Sequence, residues 1–314
     1  MTVFPPESRL LLGPGPSPVS DRILEAMSQP TVGHLDPQFL AIMDAVNEGL
    51  RLVFGTRNPM TFPVSATGSA GMEAALVNVL EHGDTAIVGI NGVFGGRMAE
   101  ICRRAGAQVV PVEAPWGEAV REEDVLKAMD KHPDARVVAL VHAETSTGVW
   151  QPLEAVGSAL RDRESLLVVD AVTSLAGIPV SVDDVGIDVC YSGTQKCLGV
   201  PPGLAPISFS PKAMSRIRSR SSPCQSWYLD VTLIAGYLGS ERAYHHTAPI
   251  NMIYGLHQAL VDVRAEGLDA RFARHKAVGD RLKSELTARG FGLFAEEGRR
   301  LPQLTSATLP DGLE

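Results

Sequence analysis

Residues 136–170 read RVVALVHAETSTGVWQPLEAVGSALRDRESLLVVD. Two apolar runs, Arg136–His142 and Ser165–Asp170, flank a segment, Leu153–Asp162, whose apolar residues recur at helical spacing. Neither run alternates apolar with polar residues, so neither strand keeps a face for water. A strand, a helix and a second strand buried on both faces make a parallel βαβ unit. The second run ends on an acid, Asp170, at the carboxyl end of its strand, where parallel sheets place their ligands.

The same alternation extends in both directions. Upstream, Phe62–Ser65, Thr85–Ile90 and Gln108–Val112 read as strands, and Met72–Leu80, Phe94–Ala105 and Glu122–Lys131 as helices. Downstream, Val189–Ser192 and Ala205–Ser208 read as further short strands. Asp21–Met27 and Pro37–Phe54 precede this region as helices, with Ser20 or Asp21 as the first cap. Leu256–Arg264 and Asp269–Arg289 follow it as helices, and Leu301–Leu309 reads as one strand beginning. The expected fold is α/β, a mainly parallel sheet with helices on both faces. The expected organisation is an N-terminal arm over 1–20, a large domain over 21–255, and the incomplete start of a smaller α+β domain over 256–314.

The 314 residues carry 28 Lys+Arg against 36 Asp+Glu, a formal charge of −8. That balance argues against nucleic acid or an anionic membrane surface as a partner. Apolar residues make up 45% and charged residues 20%, which excludes disorder as the main state. Four cysteines in so long a chain form no disulfide framework. MTVFPPESRL has no apolar core of a leader, and the longest apolar runs are too short to span a bilayer. The expected location is cytoplasmic, or peroxisomal if the source is eukaryotic.

Chemistry concentrates in three places. Thr67-Gly68-Ser69 follows a strand and opens a helix, so backbone N–H groups and two hydroxyls are available to a phosphate. An ordinary strand–helix turn has the same look. Asp170 is placed to hold a protonated heteroaromatic nitrogen, or equally to cap the next turn. Lys196, in YSGTQK (191–196), lies among small residues just past a strand and before an apolar stretch. Partial desolvation there makes a lysine an amine nucleophile. Tyr244-His245-His246-Thr247 invites a metal reading. Adjacent histidines on a strand face opposite ways, however, and no acid or cysteine stands at ligand spacing, so no metal is expected. Phosphate loop, strand-end acid and lysine on one parallel sheet together suggest a pyridoxal phosphate (PLP) site.

Beyond these residues the text resembles the class V, fold-type I aminotransferases, and within them the alanine–glyoxylate and serine–pyruvate branch. LLLGPGPSPVS, VFGTRNP, EAALVNVLEHGD, ETSTGVWQPL, LLVVDAVTSLAG, GIDVCYSGTQKCLGVPPGLAPISFS, WYLD and YHHTAP carry the likeness. The resemblance implies a ping-pong transaminase that passes the amino group of alanine or serine to glyoxylate or pyruvate. A ureidoglycine–glyoxylate aminotransferase and a truncated, non-catalytic PLP-binding protein are the alternatives. It implies that Lys196 forms the Schiff base and shuttles the proton, and that Asp170 pairs with the ring nitrogen. Phe94, where many relatives have Trp, and Val172 take the two faces of the ring, with Thr145 near its phenolic oxygen. Thr67, Gly68, Ser69 and Gln195 hold the phosphate. Tyr244 and Thr247 complete the site of a neighbouring subunit, which makes the expected assembly a homodimer. Gly13-Pro14-Gly15 borders the substrate entrance. The arginine that binds the substrate carboxylate in this family belongs to a C-terminal domain whose text extends past residue 314.

Overall fold

The apolar runs pair side by side in this computed structural model, which describes residues 7, 9–239, 242–310 and 312. Helices α1 (Asp21–Met27) and α2 (Pro37–Phe54) lead into β1 (Met60–Val64) and α3 (Gly68–Val79). Then follow β2 (Thr85–Ile90), α4 (Val93–Arg104), β3 (Gln108–Glu113), α5 (Glu122–Lys131) and β4 (Val137–Val141). A small ribbon of β5 (Ala143–Glu144) and β6 (Val149–Trp150) precedes α6 (Glu154–Leu160) and β7 (Leu166–Asp170). Next come α7 (Val182–Val185), β8 (Val189–Tyr191), β9 (Ala205–Phe209), α8 (Pro211–Arg218) and α9 (Val231–Leu238). The chain closes with α10 (Ile250–Glu266), α11 (Leu268–Ala288), β10 (Gly292–Leu293) and β11 (Ala307–Thr308).

Seven strands form the main sheet in the order β1-β9-β8-β7-β4-β2-β3. Neighbours from β3 to β8 are parallel, and β9 alone runs against the rest. The link from β8 to β9 carries no helix, and without a crossover the next strand pairs antiparallel. Register aligns Val141 with Asp170 and Asp170 with Tyr191. The carboxyl ends of β1, β2, β4, β7 and β8 therefore open on one edge of the sheet.

Strand period decides which core each residue enters. Val138, Leu140, Leu167, Val169 and Cys190 pack into one apolar layer with α2, α5, α6 and α10. Val137, Ala139, Val168, Val189 and Tyr191 pack into the other with α3, α4, α8 and α9. Each buried Val or Leu is worth about 1.5–3 kcal/mol, which explains why no face of these strands is polar. Helix α2 shows the local logic. Asp36 caps it by accepting from the Gln38 N–H at 2.8 Å, Pro37 opens it and Gly55 closes it at φ +65°. Phe39, Met43, Val46, Leu50 and Val53 form its buried stripe.

Three expectations change. Helix α3 starts at Gly68, four residues before the expected Met72, because its small first turn packs tightly and packing overrides glycine's poor propensity. A Cβ on Gly71 would stand 2.9 Å from the Ala205 Cβ. The terminal strand is neither long nor lone. Pro302 has no N–H to give a ladder, and only Ala307–Thr308 is extended, paired antiparallel with Gly292–Leu293. Helices α8 and α9 were not anticipated, although Ser210 and Asp230 cap them through the N–H groups of Ala213 and Thr232. Helix α10 spans residue 255 without a break and packs on α1 and α2. No helix among the described residues is long and apolar enough to cross a membrane.

Helix α6 sits so close to α7 that a Cβ on Gly157 would lie 2.1 Å from the Val185 carbonyl oxygen. Gly157→Ala should therefore destabilise the protein by about 1–3 kcal/mol through overpacking. Urea unfolding would show this as a lower midpoint at unchanged slope; an unchanged midpoint contradicts the packing described.

Candidate active site

Asp170 ends β7 on the same face as Val168, and it is 3% exposed. The Val172 N–H donates to its Oδ1 and the Tyr191 hydroxyl to its Oδ2, both at 2.8 Å. Burial pushes the Asp170 carboxyl up to about 6, against the opposing pull of these two donors and of the Lys196 charge. Among the described residues Asp170 forms no salt bridge. An ionised carboxylate accepts about four hydrogen bonds, so Asp170 keeps capacity for a further donor.

A second buried acid stands nearby and is spent in full. Glu144 accepts from the Phe94 and Gly95 N–H groups at 3.1 and 3.3 Å, and from the Ser146 N–H and hydroxyl at 3.1 and 2.6 Å. It thereby serves as the cap of α4. A Cβ on Gly92 would lie 2.5 Å from both the Glu144 Cγ and the Ser146 Oγ, so this approach needs glycine. The cap fixes the start of α4 and with it Phe94, which is half-buried. The Arg97 guanidinium lies 5.0 Å from the Phe94 ring centroid and 3.5 Å from the Ser69 hydroxyl.

Thr67 precedes α3 but its side chain makes no cap bond. The first N–H groups of the helix are left for another acceptor. The position a Cβ would take on Gly68 is 3.5 Å from both the Gly193 Cα and the Val172 Cγ2. The Thr67 loop, the Asp170 turn and the lysine loop therefore meet. The Thr145 and Thr173 hydroxyls bond each other at 2.5 Å beside that turn.

Lys196 is half-buried, and burial lowers its ammonium pKa. Its Nζ donates to the Pro14 carbonyl at 2.7 Å. The N-terminal arm lies over the lysine loop as well: the Ser17 N–H donates to the Gln195 carbonyl at 2.9 Å and its hydroxyl to the Lys196 carbonyl at 2.8 Å. The Gln195 Oε1 is buried without a protein partner. Lys196 opens on a cavity of about 430 Å³ whose walls include Pro14, Thr173, Arg271 and Gln303.

No side-chain hydrogen bond joins Tyr244 or Thr247 to Lys196 among the described residues. Tyr244 and Thr247 are exposed, and their hydroxyls lie 3.3 Å from each other. Their segment is not a strand, so the neighbouring rings do not point to opposite faces. His245 and His246 bond each other through their Nδ1 atoms at 2.8 Å, and His246 Nε2 bonds the Ser65 hydroxyl at 2.7 Å. Tyr191, Glu144, Arg97 and Ser17 escaped sequence reasoning as site residues. Tyr191 alone had a usable signal, since it stands beside Asp170 once β7 and β8 pair.

These residues suit PLP. An uncommitted helix N-terminus and the free amide oxygen of Gln195 mark an uncompleted polar cradle, and a buried acid with spare acceptor capacity lies within electrostatic reach of a half-buried lysine. Arranged at the strand ends of such a sheet, they define a fold-type I PLP-dependent enzyme. The family model for aminotransferase class V matches residues 11–312. An alanine–glyoxylate aminotransferase of Drosophila melanogaster is 41% identical over 312 residues, covering 98% of this chain and 79% of that protein. A (S)-ureidoglycine–glyoxylate transaminase of Bacillus subtilis is 36% identical over 324 residues, covering 98% and 78%. The crystal structure of an alanine–glyoxylate aminotransferase from Nostoc sp. matches with a TM-score of 0.97 at 45% identity, covering all of this chain and 83% of that one. The chain belongs to the class V aminotransferase family and is a PLP-dependent aminotransferase.

A carboxyl held near 6 in the folded protein and near 3.8 unfolded binds its proton more tightly when folded. Its contribution to stability is complete below about pH 4 and is lost as pH rises through about 6. In the cofactor-free protein, Asp170→Asn should remove that decline and leave the variant more stable than wild type above pH 6, by about 2–3 kcal/mol at most. Denaturant melts from pH 4 to 8 measure the difference; parallel curves for the two proteins would show that Asp170 is not strained by its burial.

Proposed function

We propose that the enzyme transfers the amino group of alanine to glyoxylate by a ping-pong route, with serine and pyruvate as alternative donor and acceptor. The observation that carries this is the meeting of a desolvated Lys196 with a buried, incompletely satisfied Asp170 beside the uncapped start of α3. Relatives named for glyoxylate at 36–45% identity support the choice of acceptor.

Bound PLP supplies the electron sink on which transamination depends. In this reading the protein binds and orients that group and moves the proton. Thr67, Ser69 and Gln195 join the first N–H groups of α3 in binding the phosphate, with Gly68 leaving room for it. Phe94 and Val172 would hold the ring, and Thr145 would orient its phenolic oxygen. Asp170 holds the proton on the ring nitrogen, its charge kept by Tyr191 and the Val172 N–H. Lys196 Nζ would carry the proton from the substrate α-carbon to the bound group, and in the opposite sense when the acceptor binds. A lowered amine pKa suits that work, because it leaves more of the free base near neutral pH. The arm segment Gly13-Pro14-Gly15 borders the entry to Lys196 and screens it from water.

The proposed assembly is a homodimer in which Tyr244 and Thr247 reach the phosphate of the partner's site. Their exposure supports this, as does the exposure of Trp227 and Tyr228 close by. The second reading, ureidoglycine as amino donor, draws on the Bacillus subtilis relative alone.

The test is spectroscopic. The visible band of the holoenzyme should fade on alanine and return on glyoxylate. A band that ignores alanine but answers ureidoglycine favours the second reading, and one that ignores every donor favours a non-catalytic PLP-binding protein. Lys196→Ala should cost at least ~10³-fold in turnover, and normal turnover in that variant would end the assignment. Mixing Lys196→Ala subunits with Tyr244→Phe/Thr247→Ala subunits should regain activity that neither homodimer has. A fully active Tyr244→Phe/Thr247→Ala homodimer would contradict the shared site.

A further inference from the structure

One arginine outside the cluster touches both loops that carry it. Arg271 lies in the first turn of α11, with its side chain only 14% exposed. Its Nε donates to the Ala176 carbonyl at 3.1 Å and its Nη2 to the Cys197 carbonyl. Its Nη1 donates to the Glu266 carboxylate at 2.7 Å. Each acceptor sits at a meaningful place. Cys197 follows Lys196 directly. Ala176 ends the turn that begins at Asp170 and runs through Val172 and Thr173, and it adopts φ +64°, a conformation that side-chain-bearing residues rarely take. Glu266 ends α10 and is held from a second side by Arg274 at 2.6 and 3.1 Å, so the acid that aligns the fork is itself fixed.

The carbonyls of Gln195 and Lys196 are held by Ser17 of the arm. The next one, that of Cys197, is held by α11. The lysine loop is thus gripped from two directions, and the second grip also reaches the strained turn after Asp170. A guanidinium presents its N–H groups in a rigid plane, whereas an ammonium is a point on a flexible stem that cannot span three separated acceptors. We propose that Arg271 is a positioning residue that sets the distance and angle between Lys196 Nζ and Asp170 by clamping the two loops together. The proposal rests on the roles given to Lys196 and Asp170 above.

Arg271→Lys keeps the charge and loses the fork, so it is the deciding variant, with Arg271→Ala as the deeper cut. In the holoenzyme, Arg271→Lys should keep the wild-type far-UV circular dichroism. It should bind PLP about ten-fold more weakly, a loss matched to one misplaced contact. The pH midpoint of its visible band should move by about half a unit, because that midpoint reports the surroundings of the Lys196 nitrogen. Its kcat should fall by about 10²-fold, the usual cost of misplaced reacting groups, while KM for the amino donor stays within about two-fold. Millimolar guanidinium should restore part of the kcat of Arg271→Ala. If that variant does not fold, Arg271→Lys alone decides. Unchanged PLP affinity, band midpoint and kcat in Arg271→Lys would overturn the proposal, and so would a lowered melting temperature with those three unchanged. Failure of the underlying assignment looks different: the wild-type enzyme itself would show no visible band, and the present proposal would fall with it.

Discussion

The structure turns on a carboxylate buried at the end of a central strand. Asp170 is 3% exposed on the same face as Val168, where an ionised carboxylate costs burial free energy. The contrast with Glu144 shows what this is for. Glu144 receives four donors and is finished; Asp170 receives two and is not. One acid is structural mortar for α4. The other keeps acceptor capacity for a further donor, beside the Tyr191 that the register sets next to it. Tyr191, Val172 and the turn to Ala176 all exist around that one unfinished charge.

Most of the architecture was readable because buried parallel strands announce themselves. Leu166–Val169 and Val137–Val141 have no polar face, and the helices between them have one. The unread parts share a physical cause: each depends on a contact distant in sequence. The first turn of α3 is helical because Gly71 fits against Ala205. Glu144 matters because the N-terminus of α4 comes to it, and Arg271 because α11 folds back over Ala176 and Cys197. No local periodicity encodes such meetings. The antiparallel sense of β9 is intermediate: the helix-free link after Tyr191 carries the signal, but only once the strands are known to be neighbours.

The site residues divide in the same way. Lys196, Asp170 and the Thr67 loop could be picked out because each breaks a local pattern, a polar group at the end of an apolar run or a glycine pair at a helix start. Tyr244 and Thr247 break no pattern and are exposed in the folded chain. Tyr191 hides in an apolar strand and shows its value only across the β7–β8 ladder. Arg97 sits on a helix face among other charges, where an arginine is ordinary until its ring neighbour and Ser69 are seen. Function was legible where chemistry and fold disagreed locally, and illegible where they agreed.

The placement of β1 at the edge beyond β9 has a consequence for how the protein comes to exist. Met60–Val64 leaves the ribosome early, yet its hydrogen-bonding partner Ala205–Phe209 is made more than a hundred residues later. Throughout that interval an apolar strand has no ladder to join, and unpaired strands of this kind recruit one another. Closing so long a loop is also slow compared with forming the β2–β3–β4 centre. The turn at Thr67 follows β1 directly, and Lys196 lies on the link between β8 and β9. Nascent chains are thus exposed to aggregation for as long as the sheet is incomplete.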